Sequence, residues 1–215
     1  MAFNTIIFDF DGTVANTNRL VIKSWQQVYH TLTGKEQDEA VIKATFGEPL
    51  AVSMEKAFPD TPVEEAIAIY RNHQKDIYED MIEPFPGMTE LIRKLKAEGY
   101  RVGIATSRLR NTTLIGLRKF GVMDSLDCLV TCEDTEKHKP DPAPALISLE
   151  KLGACAEETL MVGDSMFDIR CAHNAGIKAV LVGWAEAVSA EEMKGPDAPE
   201  FVIEKAEDLF AVLQD

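Results

Sequence analysis

The chain has 215 residues, 46% of them hydrophobic and 27% charged, enough for one ample globular domain or a core with a smaller insert. Its 22 Lys and Arg stand against 36 Asp and Glu, a formal net charge of −14. That field repels nucleic-acid backbones and anionic membrane surfaces, which excludes both as expected partners. No apolar stretch approaches the roughly 20 residues that cross a bilayer. With no C-x-x-C pair among Cys128, Cys132, Cys155 and Cys171 and no signal peptide, the expected compartment is a reducing cytoplasm. An anionic substrate would be repelled at long range too, so binding one requires a local cation, from a metal or a lysine.

In chain order, Thr5-Ile6-Ile7-Phe8 is a continuous apolar run followed by polar residues and Gly12, the pattern of a buried strand ending in a functional loop. From Thr17 onward Leu20, Val21, Ser24, Trp25, Val28 and Leu32 recur at helical spacing, with Gly34 as the stop. Amphipathic stretches near 38–45, 50–57 and 63–81 follow, so the spacing predicts a long helical segment without a strand. Glu83-Pro84-Phe85-Pro86-Gly87 is a stiff, turn-rich separator. Helices and strands then alternate: helix 88–98, strand 101–105, helix 110–119, strand 128–130, helix 142–152, strand 159–162, helix 166–175, strand 178–182, strand 201–203 and helix 206–213. Such alternation predicts an α/β fold, a Rossmann-like parallel sheet with helices on both faces, which binds ligands beyond the carboxyl ends of its strands.

Chemically capable residues stand at those ends. Asp9-Phe10-Asp11-Gly12-Thr13 sets two carboxylates two residues apart after the first strand, with Gly12 allowing close backbone approach to a ligand. A carboxylate ionised at neutral pH needs no general base to attack phosphorus, so Asp9 is the candidate nucleophile. Asp11 is then placed to protonate the leaving oxygen and later deprotonate water. Gly163-Asp164-Ser165-Met166-Phe167-Asp168 adds a second pair. Taken alone, Asp164 could be a helix N-cap and Asp168 a first-turn anion; beside the first pair, the better expectation is a Mg²⁺ site built on Asp9, Asp164 and a backbone carbonyl. Lys139, in a proline-stiffened loop, can neutralise phosphoryl oxygens and crowded carboxylates. Thr106 and Ser107 offer hydroxyl and N–H donors to a phosphate, and Arg108 is a candidate cation facing the helical segment.

Taken in order, Asp9-x-Asp11-Gly12-Thr13, Thr106, Lys139-Pro140 and Gly163-Asp164-x-x-x-Asp168 resemble the four motifs of the haloacid dehalogenase superfamily. The resemblance implies a Rossmann-like core, residues 1–15 and 83–215, with a small α-helical cap at 16–82 inserted after the first motif. It also implies a Mg²⁺-dependent phosphatase of a small phosphorylated metabolite, working through an aspartyl-phosphate on Asp9. By the same resemblance Asp11 is the acid/base and lends its backbone carbonyl to the metal, and Asp164 is a metal ligand. Thr106 binds phosphate, Lys139 pairs with Asp9 and the phosphoryl group, and Asp168 supports the metal directly or through water. Asn16-Thr17-Asn18, Gly47-Glu48-Pro49-Leu50 and Asn174-Ala175-Gly176 resemble the phosphoglycolate phosphatases and a related pyrophosphatase branch, and Gly183-Trp184 leans toward the latter. Asp11 argues against a dehalogenase, which needs no acid at that position. A β-phosphoglucomutase-like mutase typically carries a histidine and an arginine where this chain has Val21 and Leu50. An inactive phosphate-binding module would have no need of the whole catalytic set.

Overall fold

The computed structural model describes residues 3–214. β1 (Thr5–Phe8) lies between β4 (Arg101–Ala105) and β6 (Thr159–Gly163), in a six-stranded sheet completed by β5 (Cys128–Val130), β7 (Lys178–Val182) and β8 (Phe201–Ile203). The order is β5-β4-β1-β6-β7-β8, and every pairing is parallel. Both faces are covered, which is why β1 reads as unbroken Thr-Ile-Ile-Phe rather than as an alternation. Successive side chains point to opposite faces. Ile6 and Phe8 pack with α5 (Met88–Ala97), α6 (Arg110–Lys119) and α9 (Leu209–Val212). Ile7 packs on the other face with α7 (Ala143–Leu152) and α8 (Met166–Asn174). Each such fully buried side chain contributes about 1.5–3 kcal/mol.

The winding reverses beside β1: the chain proceeds outward to β4 and β5, then returns to the opposite flank at β6. That reversal opens a crevice at the carboxyl ends of β4, β1 and β6, where an open α/β sheet takes its ligand.

The helical segment comprises α1 (Asn18–Thr33), α2 (Glu39–Lys43), α3 (Leu50–Ala57) and α4 (Val63–Met81). Gly34 ends α1 in the left-handed region, and its N–H donates to the His30 carbonyl. The four helices bury their own cluster around Trp25, Val28, Ile42, Met54, Phe58 and Tyr70, with the Tyr29 and Phe58 rings 4.7 Å apart. The lower ends of α1 and α4 are rooted elsewhere, since Leu20, Tyr78 and Ile82 belong to the main core.

Most predicted elements coincide with the structure. The expected helix at 206–213 instead begins as a 3₁₀ turn, Ala206–Asp208, because the Asp208 carboxylate accepts the Glu204 and Lys205 N–H groups and tightens that entry. A two-residue antiparallel ladder between β2 (Ala15–Asn16) and β3 (Glu83–Pro84) was not foreseen. It sets side by side the two crossings that lead into and out of the helical segment. Among the described residues no helix is long and apolar enough to cross a membrane.

The separate apolar cluster predicts that Trp25→Ala, a truncation costing about 3–5 kcal/mol, speeds amide exchange through α1–α4 while β1, β4 and β6 stay protected. Hydrogen exchange read by mass spectrometry checks this, and equal loss of protection in the sheet would contradict it.

Candidate active site

Asp9 continues the ladder one residue past β1, its N–H donating to the Val162 carbonyl at 2.8 Å. Phe10 then turns into the core, stacked on Phe120 with ring centroids 6.1 Å apart, and this pins the loop between the two aspartates. Gly12 follows at φ 78°, a backbone state that disfavours side chains, and a Cβ there would lie 1.9 Å from Asp164 Oδ2. Trp184 Nε1, just past the carboxyl end of the strand Lys178–Val182, donates to the Gly12 carbonyl at 3.1 Å and helps fix the turn.

Lys139 is 4% exposed, and its Nζ donates to Asp9 Oδ1 at 2.7 Å and to Asp168 Oδ1 at 2.6 Å. The other Asp168 oxygen accepts from Ser165 N and Oγ, closing a capping box at the start of α8. The N-cap is therefore Ser165, and the simple alternative of Asp164 as the cap does not hold. Asp164, 7% exposed, accepts no hydrogen bond from the described residues. A buried carboxylate without a donor must either keep its proton or meet a cation.

One oxygen each of Asp9, Asp164 and Asp168 lie within 4.8 Å of one another. Three acids face one ammonium, and all offer the hard oxygen donors that Mg²⁺ prefers, so the residues fit such an ion. Burial, with Asp168 and Asp11 adding to it, raises the Asp9 pKa from 3.8 to about 7 despite Lys139. Asp164 is pushed well up by burial and then by Asp168 and Asp9. Burial opposes the charge on Lys139, but Asp168 and Asp9 together raise its pKa. Burial thus opposes ionisation of Asp9, and the Lys139 ammonium favours it.

Asp11 points away from this cluster. Its two oxygens accept from Arg108 Nε at 3.0 and 2.7 Å, so its carboxylate is engaged outside the acidic triad. Arg108 lies over the Tyr78 ring, 4.9 Å from the centroid, with Nη1 3.5 Å from Gln74 Oε1. Thr106 N donates to the Val130 carbonyl, and its Oγ1 accepts from Arg108 N at 3.2 Å. All nine residues expected from the sequence, Asp9, Asp11, Gly12, Thr106, Ser107, Arg108, Lys139, Asp164 and Asp168, line one cavity of about 530 Å³. Its opposite wall comes from α1, α4 and the turn before α3. There Gly47, at φ 80°, sits so close to the start of α8 that a Cβ would meet Ser165 Cβ at 2.6 Å.

Sequence reasoning missed Ser165, Gln74, Tyr78 and the Trp184 contact. A signal for one of them was present: Gln74 sits between Tyr70 and Tyr78 on the buried stripe of α4, a polar residue where the helical period calls for an apolar one.

The family model for haloacid dehalogenase-like hydrolases matches residues 6–182, and the chain belongs to that family. It is 36% identical over 214 residues to the pyrophosphatase PpaX of Halalkalibacterium halodurans, covering 99% of this chain and 98% of that one. Among solved structures it is similar to a Bacteroides fragilis protein provisionally described as a haloacid dehalogenase-like hydrolase, with TM-score 0.88 and 28% identity over 96% of this chain and 99% of the other. It is also similar to a Lactobacillus plantarum protein provisionally described as a phosphoglycolate phosphatase, with TM-score 0.85 and 27% identity over 99% and 100% of the two chains.

The raised carboxyls give a signed pH prediction. Protons held by Asp9 and Asp164 in the folded protein are released by the unfolded chain above about pH 4, so their stabilising effect is complete below that and is lost as pH rises through the raised folded values, about 7 for Asp9. In metal-free protein, Asp164→Asn, which cannot charge, should raise the melting temperature relative to wild type, and more at about pH 8 than at about pH 5.5. Mg²⁺ should restore the wild type at the higher pH and leave the variant nearly unmoved. Calorimetry over that range checks it; parallel pH profiles for the two metal-free proteins would contradict it.

Proposed function

We propose that this hydrolase is a Mg²⁺-dependent phosphatase acting in the cytoplasm on a small phosphorylated metabolite of the phosphoglycolate or pyrophosphate kind. The observation that carries the proposal is the Lys139 bridge between Asp9 and Asp168 beside the donorless Asp164, with Asp11 two residues from Asp9 on the same cavity wall. The names of the relatives point to the same chemistry. Residues 1–15 and 83–215 form the catalytic core, and residues 16–82 form a cap whose opening and closing the β2–β3 ladder would guide.

Lys139 fixes the rotation of the Asp9 carboxylate so that one oxygen can attack phosphorus in line. The Asp9–phosphorus bond forms as the ester phosphorus–oxygen bond breaks, and Asp11 gives its proton to the departing oxygen. Asp11, now ionised, takes a proton from water; the water oxygen attacks phosphorus, the Asp9 bond breaks, and phosphate leaves with Asp9 restored. Thr106, Ser107 and the Gly12 backbone hold the phosphoryl oxygens during both displacements. Asp9 and Asp164, with the Asp11 backbone carbonyl, would hold Mg²⁺, and Asp168 would support the site. When bound, the ion supplies positive charge against the phosphoryl oxygens and draws Asp9 into its ionised form. Closure of the cap onto the cavity would exclude bulk water from the first displacement.

Val21 and Leu50 both line the cavity and offer no proton-transferring group, so the wall facing the core favours hydrolysis over a mutase.

Phosphate release over a panel of phosphorylated metabolites tests the proposal. Release should require Mg²⁺, stop with EDTA and be abolished in Asp9→Asn, while Asp11→Asn should lose roughly 10²–10⁴-fold in kcat. Release that persists in EDTA, or near-normal turnover by Asp9→Asn, would overturn it.

A further inference from the structure

Arg108 is the only buried cation on the cavity wall besides Lys139 that the described residues provide, and the two are used differently. Lys139 is engaged by two carboxylates. Arg108, with its side chain 7% exposed, spends only its Nε–H on Asp11 at short range. A guanidinium carries five N–H donors in a fixed fork. Here Nη1 has Gln74 Oε1 at 3.5 Å, and Nη2 has no partner among the described residues. The Tyr78 face beneath it holds the plane in place without taking any of those donors. A buried guanidinium with an open edge is an incomplete recognition site for an anion, since bidentate pairing with a carboxylate or phosphate is what the fork geometry fits.

Its position says which part of a substrate it would meet. In the proposed mechanism Asp11 meets the oxygen that leaves with the product, and Arg108 Nε is 2.7 Å from Asp11 Oδ2. On that mechanism the guanidinium stands on the leaving-group side of the cavity that Asp9, Thr106 and Lys139 also line. Arg71 and Lys75, on the same cavity wall from α4, extend positive charge outward from that side. A protein with a net charge of −14 has placed its spare cations where the departing half of the substrate would lie.

From this, and resting on the phosphatase proposal above, we infer that Arg108 is the residue that recognises a negative charge on the substrate's leaving group, close to the scissile oxygen. The Nη edge of Arg108 binds that charge, while its Nε keeps Asp11 aligned on the leaving oxygen. Arg108 thus determines specificity: esters of neutral alcohols lack a group to fill the open edge.

The test compares kcat/KM, with Mg²⁺ present, for two matched pairs of substrates: 2-phosphoglycolate against ethyl phosphate, and pyrophosphate against methyl phosphate. In each pair the transferred phosphoryl group is the same and the leaving group loses its charge; comparing the wild-type and variant ratios cancels the differences in leaving-group size and intrinsic reactivity. The wild type should prefer the charged member of at least one pair. Arg108→Gln should lower that preference by about 10–100-fold, the loss expected for a charge-assisted, desolvated contact, with Arg108→Lys in between. Because Arg108 also touches Asp11, a merely structural role would slow both members of a pair equally. A preference near one in the wild type, or one unchanged in Arg108→Gln while phosphate is still released, overturns this inference and leaves the phosphatase proposal standing. No Mg²⁺-dependent release from any of the four compounds would remove both.

Discussion

Three buried carboxylates on Asp9, Asp164 and Asp168 share one buried ammonium on Lys139. Desolvating like charges this closely is unfavourable unless they are protonated, paired or given a cation. Lys139 satisfies two of them, and the Ser165 cap satisfies the rest of Asp168. What remains is Asp164 without a donor and Asp9 with its pKa raised to about 7. The site thus has room for one more positive charge, a proton or a cation, and that deficit ties together the fold, the proposed metal and the proposed chemistry.

The fold exists in a form that can impose this crowding. β1, β4 and β6 are adjacent because the winding reverses beside β1, so residues nearly a hundred or more positions apart in the chain end at the same edge. Phe8 and Phe10 anchor either side of Asp9 in the core, leaving the carboxylate little freedom to escape its neighbours. Gly12 permits Asp164 to come within a distance no other residue would tolerate. Rigid packing of inert side chains is what allows the charged ones to be held against their mutual repulsion.

The sheet and the residues of the acidic cluster were legible because each depends on a local signal: an apolar run with Asp, Thr or Gly-Asp directly after it. The alternation of helix and strand after residue 83 carried the topology for the same reason. Less visible were features made by distant residues meeting. Two-residue strands such as Ala15–Asn16 and Glu83–Pro84 have no periodicity to detect. Arg108 could be flagged as a cation near the site, but its grip on Asp11 and its seat on Tyr78 depend on how α4 lies over the crevice. The burial that pushes the Asp9 pKa up, beside Asp168 and Asp11, is likewise invisible in a sequence, which gives a residue only its reference value.

The central claim is that Asp9 becomes covalently attached to phosphorus, so that turnover consists of two in-line displacements. The most direct measurement is the stereochemical course at phosphorus, using a substrate made chiral with sulfur and oxygen isotopes and hydrolysed in water of the remaining oxygen isotope. Two displacements invert the centre twice and give overall retention, which is the predicted result. Net inversion would mean that water attacks the substrate directly, and Asp9 would then be a charge in the site rather than its nucleophile.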